Sequence, residues 1–176
     1  MTDDDALRRF VIALPKAELH LHLEGSIAPE LACTLAARHG VRLPGDEGGP
    51  QGVRAAFRFA DFGTFIRTYL AVSSCLRTVA DLRDAIDALA ERLSAQNVRH
   101  AELTFTPVTH LGLGTTADTL VRGLLEGREA AAARGVSIAF VFDIVRSFLD
   151  QAEPTLEFAL AVQRRAPGAV AGLGLA

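Results

Sequence analysis

Alternating strand-like and helix-like patterns of hydrophobic and polar positions run along the 176-residue chain. Leucine and polar residues exchange at every second position over residues 18–23, which predicts a strand with two different faces. Further strands are predicted over residues 98–105, 136–142 and 169–175. Helices are predicted over residues 29–39, 62–76, 78–97, 117–134 and 154–165. Each strand except the last is therefore followed by helix, which indicates an α/β fold.

The alternation fits an open doubly wound sheet and a closed barrel equally well. The last predicted strand is apolar and has no helix after it, and a complete (β/α)8 barrel takes at least about 200 residues. We therefore expect residues 1–176 to form a single α/β domain that is the N-terminal half of a TIM-type barrel, with about four parallel strands and covering helices. The remainder would follow Ala176, or a second copy would pair with the exposed strand edges in self-association.

Leu19, Leu21 and Leu23 lie on one face of the first strand, where we expect a covering layer of helices. Residues 42–54 are rich in glycine and proline, and we expect a loop there, the most mobile stretch of the chain.

Composition excludes several classes of partner. The formal net charge is −3 and the pI is about 5.9, without the basic stripe that nucleic-acid binding requires. No apolar run approaches the ~18 residues of a membrane span, and the acidic start over residues 1–5 lacks the positive region of a signal peptide. We expect a cytoplasmic protein, with Cys33 and Cys75 as small core residues in a reducing compartment.

The candidate chemistry begins at His20 and His22, which share one face of the first strand. Two imidazoles at this spacing can bind a single zinc ion, and the C-terminal end of a strand is where barrel enzymes place their sites. The same spacing also fits two solvated histidines on an edge strand. The His-x-His spacing alone does not decide between these interpretations.

Residues 14–26, LPKAELHLHLEGS, resemble the opening strand of the adenosine deaminase family, whose pattern is P-K-x-E-L-H-x-H-L-[DE]-G-[ATS]. Residues 62–69 and 76–78 resemble the lid helices of that family, and residues 97–107 resemble its second strand. The resemblance covers nearly the whole chain. It implies a zinc-dependent (β/α)8 hydrolase of purine metabolism, which replaces the 6-amino group of a purine or purine nucleoside by oxygen.

The resemblance also implies roles for single residues. His20 and His22 match the zinc ligands, and His22 and Glu24 match substrate contacts. The adenosine enzymes commonly have Asp at the position of Glu24, where it contacts the sugar hydroxyl, and Glu favours relatives that act on adenine or aminodeoxyfutalosine. Thr104 and Asp143 depart from the family pattern, in which Arg and Cys are usual, so the reaction class is better supported than the substrate.

The catalytic acid of the family, the Glu of a later H-x-x-E strand, has no counterpart in residues 1–176, and neither do the remaining metal ligands. We therefore expect an incomplete zinc site, no catalytic acid or base, and no activity of this chain alone. His110 would supply a third nitrogen or, as we expect of a loop histidine, be solvated.

Phe59, Phe62 and Phe65 form either an apolar lid or, as their helical spacing favours, part of the ordinary hydrophobic core.

Two functions other than purine deamination also fit the sequence. One is that of another metallohydrolase of the amidohydrolase superfamily, acting on an amide or an ester. The other is a non-catalytic, self-associating fragment.

Overall fold

The computed structural model describes residues 3–176, in which four parallel strands form one sheet in the order β1–β2–β3–β4. The strands are β1 (Lys16–His22), β2 (Val98–Phe105), β3 (Ser137–Ile144) and β4 (Val170–Leu175). Each strand pairs with the next one along the chain. This sequential order is that of a (β/α)8 barrel, whereas a doubly wound sheet reverses its strand order at a switch point.

Eight helices, three of which pack against β2, β3 and β4, lie in the described residues. They are α1 (Asp3–Ala13), α2 (Pro29–His39), α3 (Gly49–Ala56), α4 (Phe62–Ser73), α5 (Val79–Ala95), α6 (Pro107–Gly112), α7 (Ala117–Ala133) and α8 (Ala152–Arg165). The four strands and five of the helices confirm the predictions to within a few residues. In the part of the chain that the structure describes, no helix has the length and apolarity needed to cross a bilayer.

The prediction of an irregular loop over residues 42–54 is confirmed only for residues 42–45 and is wrong for the rest. A 3-10 turn at Asp46–Gly48 leads directly into α3, whose second residue is Pro50. Proline is accepted there because the first-turn N–H groups of a helix have no intrahelical partner. Gly45 and Gly52 come so close that a Cβ on Gly52 would lie 2.2 Å from the Gly45 carbonyl oxygen. Glycine in this segment thus permits close backbone packing.

Polar caps define the starts of the two helices between β1 and β2. The Asp61 carboxylate accepts a hydrogen bond from the Thr64 N–H at 2.6 Å and caps α4. Thr78 and Asp81 form a reciprocal capping box at the start of α5. Both caps confirm the sequence prediction, because a cap is a local interaction over three residues.

The core lies between the sheet and the helices that cover β2 and β3. Leu103 and Phe105 on β2, and Phe140 and Phe142 on β3, are completely buried. The two outer strands are less covered. Leu19 on β1 is 60% exposed, so the expected helix layer covers Leu23 but does not reach Leu19.

Lys16 joins three chain segments at the N-terminal end of β1. Its ammonium donates hydrogen bonds to the backbone oxygens of Ile12, Leu14 and Gln96, at 3.0, 2.8 and 2.9 Å. The acceptors belong to the end of α1, the turn before β1 and the segment that follows α5. Cations favour the carbonyl ends of helices, which explains the lysine of the Pro-Lys pair as a structural residue.

Helices α5 and α7 approach closely because α7 carries glycine at the contact. A Cβ on Gly127 would lie 2.6 Å from Ile86 Cδ1 and 2.8 Å from Ile86 Cβ. We expect Gly127→Ala to lower the free energy of unfolding by about 1–3 kcal/mol, although alanine is the better helix former, because overpacking outweighs helix propensity. Urea unfolding followed by circular dichroism measures this difference.

The matched control is Gly63→Ala in α4. A Cβ there would meet only ordinary contacts, the nearest at 3.4 Å from Asp61 Oδ1. Its effect should lie between zero and a gain of about 1 kcal/mol. Equal effects of the two substitutions would contradict the packing argument.

A second prediction concerns Asp81, whose side chain is fully buried. Burial alone would raise the pKa of its carboxyl, but hydrogen bonds from Thr78, His39, Arg38 and the Arg77 N–H outweigh burial and lower the pKa. A lowered folded-state pKa contributes stability that is present above the unfolded pKa and lost as the pH falls through the folded pKa. We expect Asp81→Asn to cost about 2 kcal/mol at pH 7 and progressively less below about pH 4, by urea unfolding.

The exposed carboxyl of Asp150 supplies the control for this titration. Asp150→Asn should leave the free energy of unfolding within about 0.5 kcal/mol of the unaltered chain at each pH. A cost of Asp81→Asn that did not change with pH would contradict the linkage.

Candidate functional site

The register of the sheet places one row of residues on its inner face, near the C-terminal ends of the strands. Paired residues of parallel strands point to the same side, and the register pairs each member of the row with the next. The row is His22, Thr104, Val141 and Gly172. One step further along, Asp143 pairs with Gly174 on the same face. The candidate site lies around these two rows.

His20 and His22 project from the same side of β1, with ring centroids 5.5 Å apart and ring planes inclined by 41°. His20 is exposed and His22 is half-buried. Within residues 3–176, no three His, Cys, Asp or Glu side chains come together in a way that could hold a metal ion. The pair thus offers two imidazole nitrogens, whereas a catalytic zinc normally takes three protein ligands. This donor type fits zinc, and the donor number is incomplete.

Asp143 faces the histidine pair from β3 and is 6% exposed. Burial raises the pKa of its carboxyl, the imidazoles of His22 and His20 oppose that rise, and the charge of Glu24 adds to it. Asp143, noted from the sequence only as a departure from the family pattern, is therefore part of the site. Its place on the face of β3 that shares a row with His22 is the signal that identifies it.

Gly174 makes room for the Asp143 carboxyl. A Cβ at position 174 would lie 2.0 Å from Asp143 Oδ1, well inside any real contact. Gly172, on the same face of β4, has no atom within 4 Å of such a Cβ. The two glycines of β4 therefore differ, because a side chain at 174 would displace the Asp143 carboxyl and one at 172 would meet open space.

Glu24 lies in the 3-10 turn that follows β1 and is 1% exposed. Its Oε2 accepts a hydrogen bond from the Tyr69 hydroxyl at 2.9 Å, and its Oε1 lies 2.8 Å from His110 Nε2. Both partners come from distant elements, since Tyr69 is in α4 and His110 is in α6. The carboxylate is held on both sides by protein groups.

The expectation that His110 is a solvated loop residue is wrong. His110 is in α6, is fully buried, and stacks on Phe105 with centroids 4.6 Å apart and ring planes 8° from parallel. Its Nδ1 is the one buried side-chain polar atom without a hydrogen-bond partner in the described residues. The alternative of a third metal nitrogen also fails, because in the described residues no group of three His, Cys, Asp or Glu side chains that could hold a metal includes His110. Proline at the start of α6 and glycine at its end are the signal that would have predicted this helix.

Tyr69 remains a hydrogen-bond donor in this environment. Burial raises the pKa of its hydroxyl, and the negative charges of Glu24 and Asp143 raise it further. The hydroxyl proton is therefore retained and points to Glu24. No other tyrosine exists in the sequence.

An aromatic cavity of about 60 Å³ opens beside Glu24. Phe57, Phe59, Phe65 and Tyr69 line it, and Glu24 is the only charged residue in its lining. The rings of Phe59 and Phe65 meet edge to face at 5.2 Å. The core interpretation of Phe59, Phe62 and Phe65 is wrong, because Phe62 is 75% exposed, Phe59 is 38% exposed and Phe65 is half-buried.

The contact between Asp143 and Gly174 gives a test of the site geometry. We expect Gly174→Ala to lower the free energy of unfolding by about 1–3 kcal/mol, because the added methyl group displaces the Asp143 carboxyl. Gly172→Ala, on the same strand and face, should change it by less than about 1 kcal/mol. Urea unfolding measures both, and the loss should shrink when Gly174→Ala is combined with Asp143→Ala. Additive effects of that pair would contradict the contact.

Comparison with known proteins gives the same family for nearly the whole chain. The adenosine deaminase family model matches residues 15–176. The adenine deaminase of Streptomyces coelicolor is 45% identical over 138 residues, covering 77% of this chain and 40% of that protein. The adenine deaminase of Ralstonia pickettii is 36% identical over 177 residues, covering 99% of this chain and 51% of that protein.

Solved structures agree with the sequence comparison. The crystal structure of an adenine deaminase from Arthrobacter aurescens matches with a TM-score of 0.81 and 34% identity, over 93% of this chain and 49% of that one. An amidohydrolase from Burkholderia ambifaria with bound Zn matches with a TM-score of 0.78 and 26% identity, over all of this chain and 47% of that one. The chain spans about half the length of these relatives, so its four strands correspond to the N-terminal half of their barrels. The chain belongs to the adenosine deaminase family.

Proposed function

We propose that this chain supplies the N-terminal half of the active site of a zinc-dependent hydrolase that removes the 6-amino group of a purine. Adenine is the favoured substrate among adenine, adenosine and aminodeoxyfutalosine. The observation that carries the proposal is the placement of His20, His22 and Glu24 within five residues at one end of β1, in a chain 45% identical to an adenine deaminase. The buried glutamate in place of the shorter aspartate supports adenine over a nucleoside.

Zinc, when bound, supplies the Lewis acidity that lets water act as a nucleophile at neutral pH. His20 and His22 would hold it, with further ligands from outside residues 3–176. Neutral imidazole ligands do not reduce the positive charge of the zinc ion, so the ion stays a strong Lewis acid. The pair on a hydrogen-bonded strand also fixes the spacing of two ligand nitrogens before any metal arrives.

The residues around the histidine pair would bind and orient the purine. Glu24 presents a fixed negative charge to a donor on the base, and the rings of Phe59 and Phe65 exclude water from its faces. Hydrolytic deamination consumes water and releases ammonia, and an acid must protonate the ring nitrogen next to the reacting carbon. No residue of this chain is assigned that role, so the proposal requires the acid from the second half of the barrel.

A second candidate is hydrolysis of an amide or ester. The zinc-containing structure that matches the whole chain is that of an amidohydrolase. A zinc ion held by paired histidines on the first strand would also activate water for attack on the carbonyl carbon of an amide or ester. Self-association through the edges of β1 and β4 stays a prediction, which sedimentation velocity tests.

The test places this chain in a complete barrel. A chimera in which the chain replaces the matching segment of the Streptomyces coelicolor adenine deaminase should bind zinc and deaminate adenine, followed by the change in purine ultraviolet absorbance. The 176-residue chain alone should show no turnover, because zinc lacks its third ligand. His20→Ala or His22→Ala in the chimera should lower zinc affinity at least about 100-fold and abolish turnover.

His100→Ala is the matched control, since His100 lies at the N-terminal end of β2 and contacts Ser137 instead of the histidine pair. Zinc content and turnover should be unchanged in this variant. A folded, zinc-loaded chimera that hydrolyses amides or esters but no 6-aminopurine would establish the second candidate and refute the first.

A further inference from the structure

Three polar side chains at the C-terminal end of the sheet have no hydrogen-bond partner among the residues that the structure describes. They are His20 and His22 on β1 and Asp143 on β3. We propose that Asp143 is a positioning residue for the zinc site, whose carboxylate accepts the N–H of the His22 imidazole and fixes the orientation of that ring. This inference rests on the zinc site of the proposed function and adds a residue to it.

The burial of Asp143 is unfavourable in the absence of a ligand. The residue is 6% exposed, and no N–H or hydroxyl group in the described part of the chain donates to its carboxylate. An ionised carboxylate without a donor is unstable in such surroundings. The neighbouring strand nevertheless makes room for it, since a Cβ at position 174 would lie 2.0 Å from Asp143 Oδ1. The arrangement is explained if a donor reaches the carboxylate when the site is occupied.

The charges around Asp143 indicate which group that donor is. The carboxylate is attracted by the imidazole of His22 and, less strongly, by that of His20, whereas Glu24 repels it. Glu24 already has its own partners, from α4 and α6, at 2.9 and 2.8 Å. Asp143 is therefore the buried carboxylate of the site that still lacks a donor, and it faces two imidazoles that lack an acceptor.

A histidine that binds a metal through one ring nitrogen carries a proton on the other nitrogen, and this N–H group requires an acceptor. For His20, which is exposed, water can accept the hydrogen bond. His22 is half-buried, and the register aligns it through β2 with Val141, two residues before Asp143 on the same face of β3. We therefore assign the Asp143 contact to His22. Such an acceptor fixes the ring and makes it a stronger ligand.

The hydroxyl of Thr104 is the alternative acceptor. Thr104 pairs with His22 in the sheet register and is 5% exposed. Hydrogen bonds to an ionised acceptor are stronger than those to a neutral one, which favours the carboxylate of Asp143. A carboxylate also offsets the positive charge of a metal ion in a buried site, whereas a hydroxyl group does not.

The zinc affinity of the 176-residue chain tests the proposal, measured by isothermal titration calorimetry with zinc chloride. Asp143→Ala removes the acceptor and should lower the affinity about 10- to 100-fold. Asp143→Asn keeps a neutral acceptor, so its affinity should lie between those of Asp143→Ala and the unaltered chain. Asp150→Asn removes an exposed carboxyl that follows the same strand and should leave the affinity unchanged.

A second variant moves the carboxylate without altering it. Gly174→Ala displaces the Asp143 carboxyl and should lower zinc affinity by a similar factor, with no further loss when it is combined with Asp143→Ala. Gly172→Ala lies on the same strand and face, where its methyl group meets open space, and should have no effect. This pair still tests the proposal if Asp143→Ala does not fold.

A spectroscopic measurement distinguishes positioning of His22 from a general effect of negative charge. In the zinc-loaded chain with 15N-labelled histidine, the His22 signal is identified by its loss in His22→Ala. Its ring N–H should exchange slowly with water, and Asp143→Ala should make that exchange fast without altering the signal of His20. A loss of zinc affinity with unchanged exchange at His22 would overturn the positioning role.

The remaining outcomes separate this inference from the proposed function. Unchanged zinc affinity in Asp143→Ala and Gly174→Ala, with binding abolished in His20→Ala and His22→Ala, would overturn the inference and leave the zinc site standing. A loss in Thr104→Val but not in Asp143→Ala would make the hydroxyl the acceptor and overturn it as well. No zinc binding by the unaltered chain, folded by circular dichroism, would overturn the inference and count against the proposed function.

Discussion

The burial of the Glu24 carboxylate is the constraint around which the candidate site is organised. Removing an ionised carboxylate from water costs several kcal/mol, so the fold has to supply donors for it. Tyr69 and His110 supply them, and each requires its own helix in a definite position. The short helix α6 and the lid-like helix α4 are thereby tied to the end of β1, which also carries the histidine pair.

The parallel sheet positions the other residues of the candidate site. Because four consecutive strands pair in parallel, the residues at their C-terminal ends come to one edge regardless of their distance along the chain. This brings Asp143 opposite the histidines of β1 without any direct hydrogen bond between them. Local turns position Glu24, whereas strand register positions Asp143, so the two carboxyl groups enter the same site by independent means.

Much of this fold was predictable from local pattern. Strands and long helices have repeating hydrophobic positions, and the caps at Asp61 and Thr78 are interactions over three residues, so short windows contain the information. The helices α3 and α6 contain glycine and proline and are too short to show a period. The exposure of Leu19 depends on what covers an edge strand, which no local pattern contains.

The site was predictable only in part, for a related reason. The shared face of His20 and His22 follows from strand geometry and is found in the structure, while their role as zinc ligands stays a prediction. The partners of Glu24 lie 45 and 86 residues away, and pairing over such distances leaves no trace in one sequence. His110 was therefore misjudged as solvated, although Pro107 and Gly112 marked the helix that buries it.

The close approach of Gly174 to Asp143 has a consequence for how the two strands can diverge. With aspartate at position 143, almost every residue other than glycine at 174 meets the carboxyl oxygen, whereas a smaller residue at 143 removes the conflict. The residue types at the two positions are therefore coupled across two strands, although the positions lie 31 residues apart in the chain.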